Sequence, residues 1–135
     1  MFEKSLRVYY EDTDAGGIVY HSNYLNFMER CRCDWLESLG FNVADLAEQE
    51  KLAFVVKEAN LIYHHPAKLF DQLRVVAEVL QVGKVKLEIR QEVYNRDMLL
   101  CSGVLKMAVI DAQTSQIKVM PESLRTAMKQ SLNTQ

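Results

Sequence analysis

From Ser22 to Leu39 the apolar residues Tyr24, Phe27, Met28, Cys31, Trp35, Leu36 and Leu39 recur every three or four positions. That spacing gathers side chains on one face of an α-helix, here about five turns long. Ser22 or Asn23 is placed to cap its start and Gly40 to end it. A stripe of this size needs an apolar surface to lie on, and the residues after Lys51 supply one. "AFVVKEANLIYHH", "QLRVVAEVLQV", "KVKLEIRQEVY" and "LLCSGVLKMAVID" are long β-type runs separated by turn or polar residues. Val85, Leu87 and Ile89 alternate with Lys86, Glu88 and Arg90, the pattern of a sheet with one buried face. The expected layout is α+β: an antiparallel sheet with the long helix laid across its apolar side.

Smaller elements complete this layout. Residues 4–12, with Val8, Tyr9 and Tyr10, are expected as a first strand ended by the Gly16–Gly17 pair. A short helix is expected over 43–50, and strands over 70–82, 84–95 and 98–110, with turns at Gly83 and Asn95–Asp97. A closing helix is expected from Met120 to about Gln130, with Pro121 near its first turn. No repeat or linker interrupts the pattern, so residues 1–135 are expected as one domain.

Composition narrows the function. A formal charge of -2 carries no basic footprint, which argues against nucleic acid as a partner. No apolar run approaches the roughly 18 residues of a membrane span, and "MFEKSLRVYYEDTD" lacks the apolar stretch of a signal peptide. An odd count of three cysteines points to a reducing compartment, so the expected location is the cytoplasm. Cys31 and Cys33, two apart on a helix, face nearly opposite ways. The cysteines are therefore expected to pack rather than to hold a metal.

Chemistry concentrates in "EDTDAGGIVYHSNYLNFMER", residues 11–30. Asp14 lies in the turn after the first strand, and Gly16–Gly17 let the backbone approach a ligand closely. The N–H groups around Tyr20 to Asn23 open a helix and have no partner within it, so they suit a developing negative oxygen. A carboxylate facing such donors can transfer an acyl group to water, with Asp14 as general base or as nucleophile. On spacing alone, a solvated turn that merely caps the helix is favoured over this reading. Neither a Walker loop nor a Rossmann fingerprint is present.

The stretch "VYYEDTDAGGIVYHSNYLNFMER" resembles the signature of the 4-hydroxybenzoyl-CoA thioesterase class, and within it the YbgC-like, Tol-Pal-associated acyl-CoA thioesterases. The likeness continues at "IYHHPAKLFDQLRV" and covers nearly the whole chain. It implies a hotdog fold, in which a sheet wraps a long central helix. It also implies acyl-CoA hydrolysis with no cofactor and no metal, coenzyme A being part of the substrate. By position, the catalytic carboxylate falls on Asp14 and the oxyanion-stabilising N–H on His21. Tyr20, Asn23 and Tyr24 fall where the acyl thioester passes, and Glu29 is a lesser, supporting candidate. The family builds its sites between subunits of dimers that often pair into tetramers.

Other residues are read against plainer roles. The His21 ring could orient Asp14 or the substrate, or simply be exposed. His64 and His65 are expected to be structural or solvated, and Trp35 to lie in the core. Lys57, Lys68, Lys84, Lys86 and Arg90 are available for the phosphates of coenzyme A, with nothing in the sequence to choose among them. Two rival functions remain. One is a hotdog dehydratase, whose usual histidine–acid pair the "DTDAGG" layout does not supply. The other is a non-catalytic subunit binding acyl-CoA or acyl carrier protein beside the cell-envelope machinery.

Overall fold

The computed structural model describes residues 1–133. Its elements are β1 (Phe2–Arg7), α1 (Asn23–Ser38), α2 (Val43–Gln49), β2 (Leu52–Tyr63), β3 (Gln72–Val82), β4 (Lys86–Asn95), β5 (Met98–Asp111) and α3 (Glu122–Asn133). The strands form one sheet in the order β1-β3-β4-β5-β2, antiparallel at every pairing. Helix α1 packs on β1, β3 and β4. This is the hotdog arrangement, and its cause is the stripe: Tyr24, Phe27, Met28, Cys31, Trp35 and Leu36 are all buried. They meet the inward residues Leu73, Val75, Leu87, Ile89 and Val93 in one cluster. Trp35 lies in this core, its indole N–H donating to Ser131 Oγ of α3 at 3.3 Å.

Three local expectations change. The first strand stops at Arg7, and Tyr10–Asp12 winds into a 3-10 turn. The Asp12 carboxylate causes this: its Oδ2 accepts the Tyr9 N–H at 3.0 Å, curling the chain back on itself. Ser22 occupies the position before α1 but makes no side-chain cap, because its own backbone is already helical. By contrast Asn42 caps α2 twice, its Oδ1 accepting from the N–H groups of Ala44 and Asp45. Strand β3 begins at Gln72 rather than at 70, since Phe70 takes a left-handed backbone, φ 66°, that no strand continues through.

The buried stripe of α1 also contains a charge. Arg32 is buried and donates from Nη1 to Gln91 Oε1 at 2.9 Å, while Gln91 Nε2 donates to the Met28 carbonyl at 3.0 Å. Burial pulls the guanidinium below its usual pKa, a cost that the Gln91 bond offsets. Gln91→Leu should therefore destabilise the fold by about 2–4 kcal/mol, because it strands a buried cation. Combining it with Arg32→Met should recover most of that loss in urea denaturation.

Candidate active site

The two acids of "DTD" do different work. Asp12 is buried, and its carboxylate holds the Tyr9 N–H. Its main-chain oxygen accepts both the Tyr20 N–H at 3.0 Å and Asn23 Nδ2 at 2.8 Å. Asp12 thus closes the loop 12–20 onto the start of α1. Asp14 is exposed. Its Oδ1 accepts the Gly16 N–H at 2.8 Å, and its main-chain oxygen accepts the Gly17 N–H at 3.1 Å. Gly17 sits at φ +78°, a conformation that side chains resist. Among the described residues Asp14 Oδ2 has no hydrogen-bond partner.

About fifty residues downstream, the second motif pins this loop from outside. Val19 N–H donates to the Ala67 carbonyl at 2.9 Å and Leu69 N–H to the Gly17 carbonyl at 3.1 Å. Ala67 N–H in turn donates to Tyr24 Oη at 3.0 Å. "YHHPAKLFD" and "DTDAGGIVYHSNY" are therefore two halves of one structural unit.

His21 lies at the junction with α1. Its N–H has no acceptor among the described residues, so it is available to a ligand. Its carbonyl accepts the Tyr63 hydroxyl, reaching over from the last position of β2, at 3.2 Å. The imidazole packs on Tyr20, with ring centres 4.4 Å apart, and meets the Tyr63 ring edge-on at 6.3 Å. Among the described residues no hydrogen bond joins it to Asp14.

The five expected site residues thus fall into two groups. Asp14, Tyr20 and His21 are exposed together along the loop. Asn23 and Tyr24 turn inward: Asn23 spends its amide on Asp12 and Asn26, and Tyr24 is buried with its hydroxyl on Ala67. Burial raises the phenol pKa of both Tyr24 and Tyr63, keeping them neutral. Tyr63 is the site neighbour that sequence reading missed, its one signal being its place beside "HHPA". Glu29 is exposed two turns into α1. His64 pairs with Ser102 Oγ at 2.9 Å, and His65 donates its N–H to the Leu100 carbonyl, so both have structural partners. Arg90 pairs with Glu78 at 3.6 Å, and Lys57, Lys68, Lys84 and Lys86 are exposed.

Among the described residues no group of three His, Cys, Asp or Glu is placed to hold a metal ion. Cys31 and Cys101 are buried, and burial pushes their thiols up to about 12 and about 11, which leaves them protonated and inert near neutral pH. No helix among the described residues is long and apolar enough to cross a membrane.

Residues 8–128 match the thioesterase-like superfamily. The chain is 39% identical over 126 residues to the acyl-CoA thioesterase YbgC of Haemophilus influenzae, covering 93% of each protein. It is 34% identical over 131 residues to the acyl-CoA thioester hydrolase YbgC of Escherichia coli O157:H7, covering 96% of this chain and 97% of that one. A probable thioesterase from Bartonella henselae, 30% identical, superimposes with a TM-score of 0.84 over 88% of this chain and 98% of the other. On this ground the chain belongs to the thioesterase-like superfamily and, within it, to the YbgC acyl-CoA thioesterases.

Proposed function

We propose that the protein hydrolyses acyl-CoA thioesters to the free acid and coenzyme A, with Asp14 carrying the chemistry and the His21 N–H meeting the oxyanion. One observation carries this reading most: of the two acids in "DTD", Asp12 is consumed by the fold, whereas Asp14 keeps a carboxylate oxygen free. That free oxygen and the open His21 N–H lie on one loop, closed by Asp12. Asp14 takes a proton from water as the hydroxyl adds to the thioester carbon, or adds to that carbon itself and is then released by water. In either route the carbonyl oxygen becomes negative, and a fixed N–H at the positive end of a helix stabilises it. Collapse of the adduct breaks the carbon–sulfur bond, and the sulfur of coenzyme A leaves and takes up a proton.

The other residues support this pair. Tyr63 holds the His21 peptide through its carbonyl, and Asn23 and Tyr24 hold the loop, while exposed Tyr20 flanks the path of the thioester. The chemistry requires no cofactor beyond the coenzyme A of the substrate, and the cytoplasm, where acyl-CoA is made and used, is the proposed location.

Strand β2 supports a further part of the reading. It is a twelve-residue strand at the end of the sheet, paired only with β5 among the described residues. Its Val55, Val56 and Ile62 are exposed. A long apolar edge of this kind is a liability unless it pairs, so two copies join through β2 with the sites at their junction. Light scattering at micromolar concentration should give the mass of a dimer or tetramer; a monomer would contradict this.

Release of free thiol from a panel of acyl-CoAs tests the activity directly. His21→Ala should keep most of the turnover, because alanine retains the N–H. His21→Pro, checked for folding by its thermal transition, should lose about 10²–10³-fold in kcat, the usual loss for one oxyanion donor. Equal activity in the two variants would remove the N–H from the mechanism.

A further inference from the structure

A cavity of about 370 Å³ opens between α1, α2 and the β2, β4 and β5 part of the sheet. Among its walls are Cys33, Trp35, Leu36, Ala47, Phe54 and Ile89. Its size is that of a small-molecule site, whereas a packed interior leaves few voids larger than a water. The one charge buried in its wall, Arg32, is already held by Gln91, and Glu29 stands exposed at its rim. An acid at the rim repels an anionic guest, so the cavity suits an uncharged hydrocarbon.

Helix α1 connects this cavity to the proposed site. Ser22, Asn26, Glu29 and Cys33 are spaced by four, three and four, which places them on one stripe. The stripe starts beside the His21 N–H and reaches Glu29 after about 10 Å of helix. With carbon–carbon bonds of about 1.5 Å in a zigzag, a chain of roughly eight to ten carbons spans that distance. An aromatic acyl group is too short to do so.

We propose that this cavity receives the far end of an unbranched aliphatic acyl chain of about ten or more carbons lying along α1, and so sets the chain-length preference. The direction of the chain rests on seating the thioester at the start of α1, as proposed above; the cavity itself does not depend on that seating.

In the unmodified protein, kcat/KM should be nearly flat for short acyl-CoAs. Beyond roughly eight carbons it should rise about three- to fivefold per added CH2, until the cavity is full. Ala47→Phe, which fills the cavity from α2, should remove that rise and leave hexanoyl-CoA turnover unchanged. A second measurement needs neither a variant nor turnover. Cys33 is half-buried in the cavity wall, while Cys31 and Cys101 are buried. Burial raises the Cys33 thiol, so labelling with iodoacetamide is done at mildly alkaline pH. Dodecyl-CoA, a thioether that cannot be hydrolysed, should protect Cys33, and butyl-CoA should not. Equal labelling with both would overturn the proposal, as would a Cys33 that never reacts because side chains of a second copy seal the cavity. A flat chain-length profile together with a crippling His21→Pro would overturn the cavity assignment alone. Protection of Cys33 in a protein indifferent to His21→Pro would overturn only the thioester seat.

Discussion

Burial of one face of α1 against the sheet is the constraint on which the rest of the molecule depends. Phe27, Met28 and Cys31 are fully enclosed there, and removing a phenylalanine or methionine side chain from water is worth roughly 1.5–3 kcal/mol. That burial fixes the helix axis, and with it the position of the helix start. The Arg32–Gln91–Met28 chain adds direction to a contact that apolar packing alone would leave free to slide. The face of α1 left over carries the stripe from Ser22 to Cys33, with the open His21 N–H just before its start and Asp14 on the loop that leads into it.

The loop 12–20 shows how a crowded acidic turn is made useful. Two carboxylates so close in sequence would repel if both were solvated and idle. Asp12 resolves this by turning inward onto the Tyr9 N–H, while its carbonyl gathers Tyr20 and Asn23. Among the described residues the Asp14 side chain is held only through the Gly16 N–H, so one oxygen is fixed and the other is free. The turn after Pro66 then clamps the loop through Ala67 and Leu69. A loop tied down in this way that leaves an acid and an N–H open is preorganised for charge that develops during a reaction.

Much of this was legible in the sequence, and the limits have physical causes. The stripe of α1 and the alternation of β4 are local periodicities, and they gave the fold class and nearly every strand. Arg32 and Gln91 escaped, because a charge and an amide on inward positions make sense only as a pair that tertiary folding brings together. The spacing of "DTD" could not divide labour between Asp12 and Asp14; family resemblance pointed to Asp14, and the contacts that occupy Asp12 lie with Tyr9, Tyr20 and Asn23. Tyr24, expected beside the thioester, is buried because its hydroxyl serves Ala67, a residue 43 positions away. Tyr63 gave little sign of itself, since an aromatic at the end of a strand usually only packs.

The central claim is the division between the two acids, and it is tested by measuring thioester hydrolysis and thermal stability side by side in Asp14→Asn and Asp12→Asn. The account predicts that Asp14→Asn keeps its thermal midpoint and loses orders of magnitude in turnover, since an amide can neither take the proton nor attack. Asp12→Asn should chiefly lower the midpoint, by weakening the bond that curls the loop. A crippled but stable Asp12→Asn beside a fully active Asp14→Asn would contradict it.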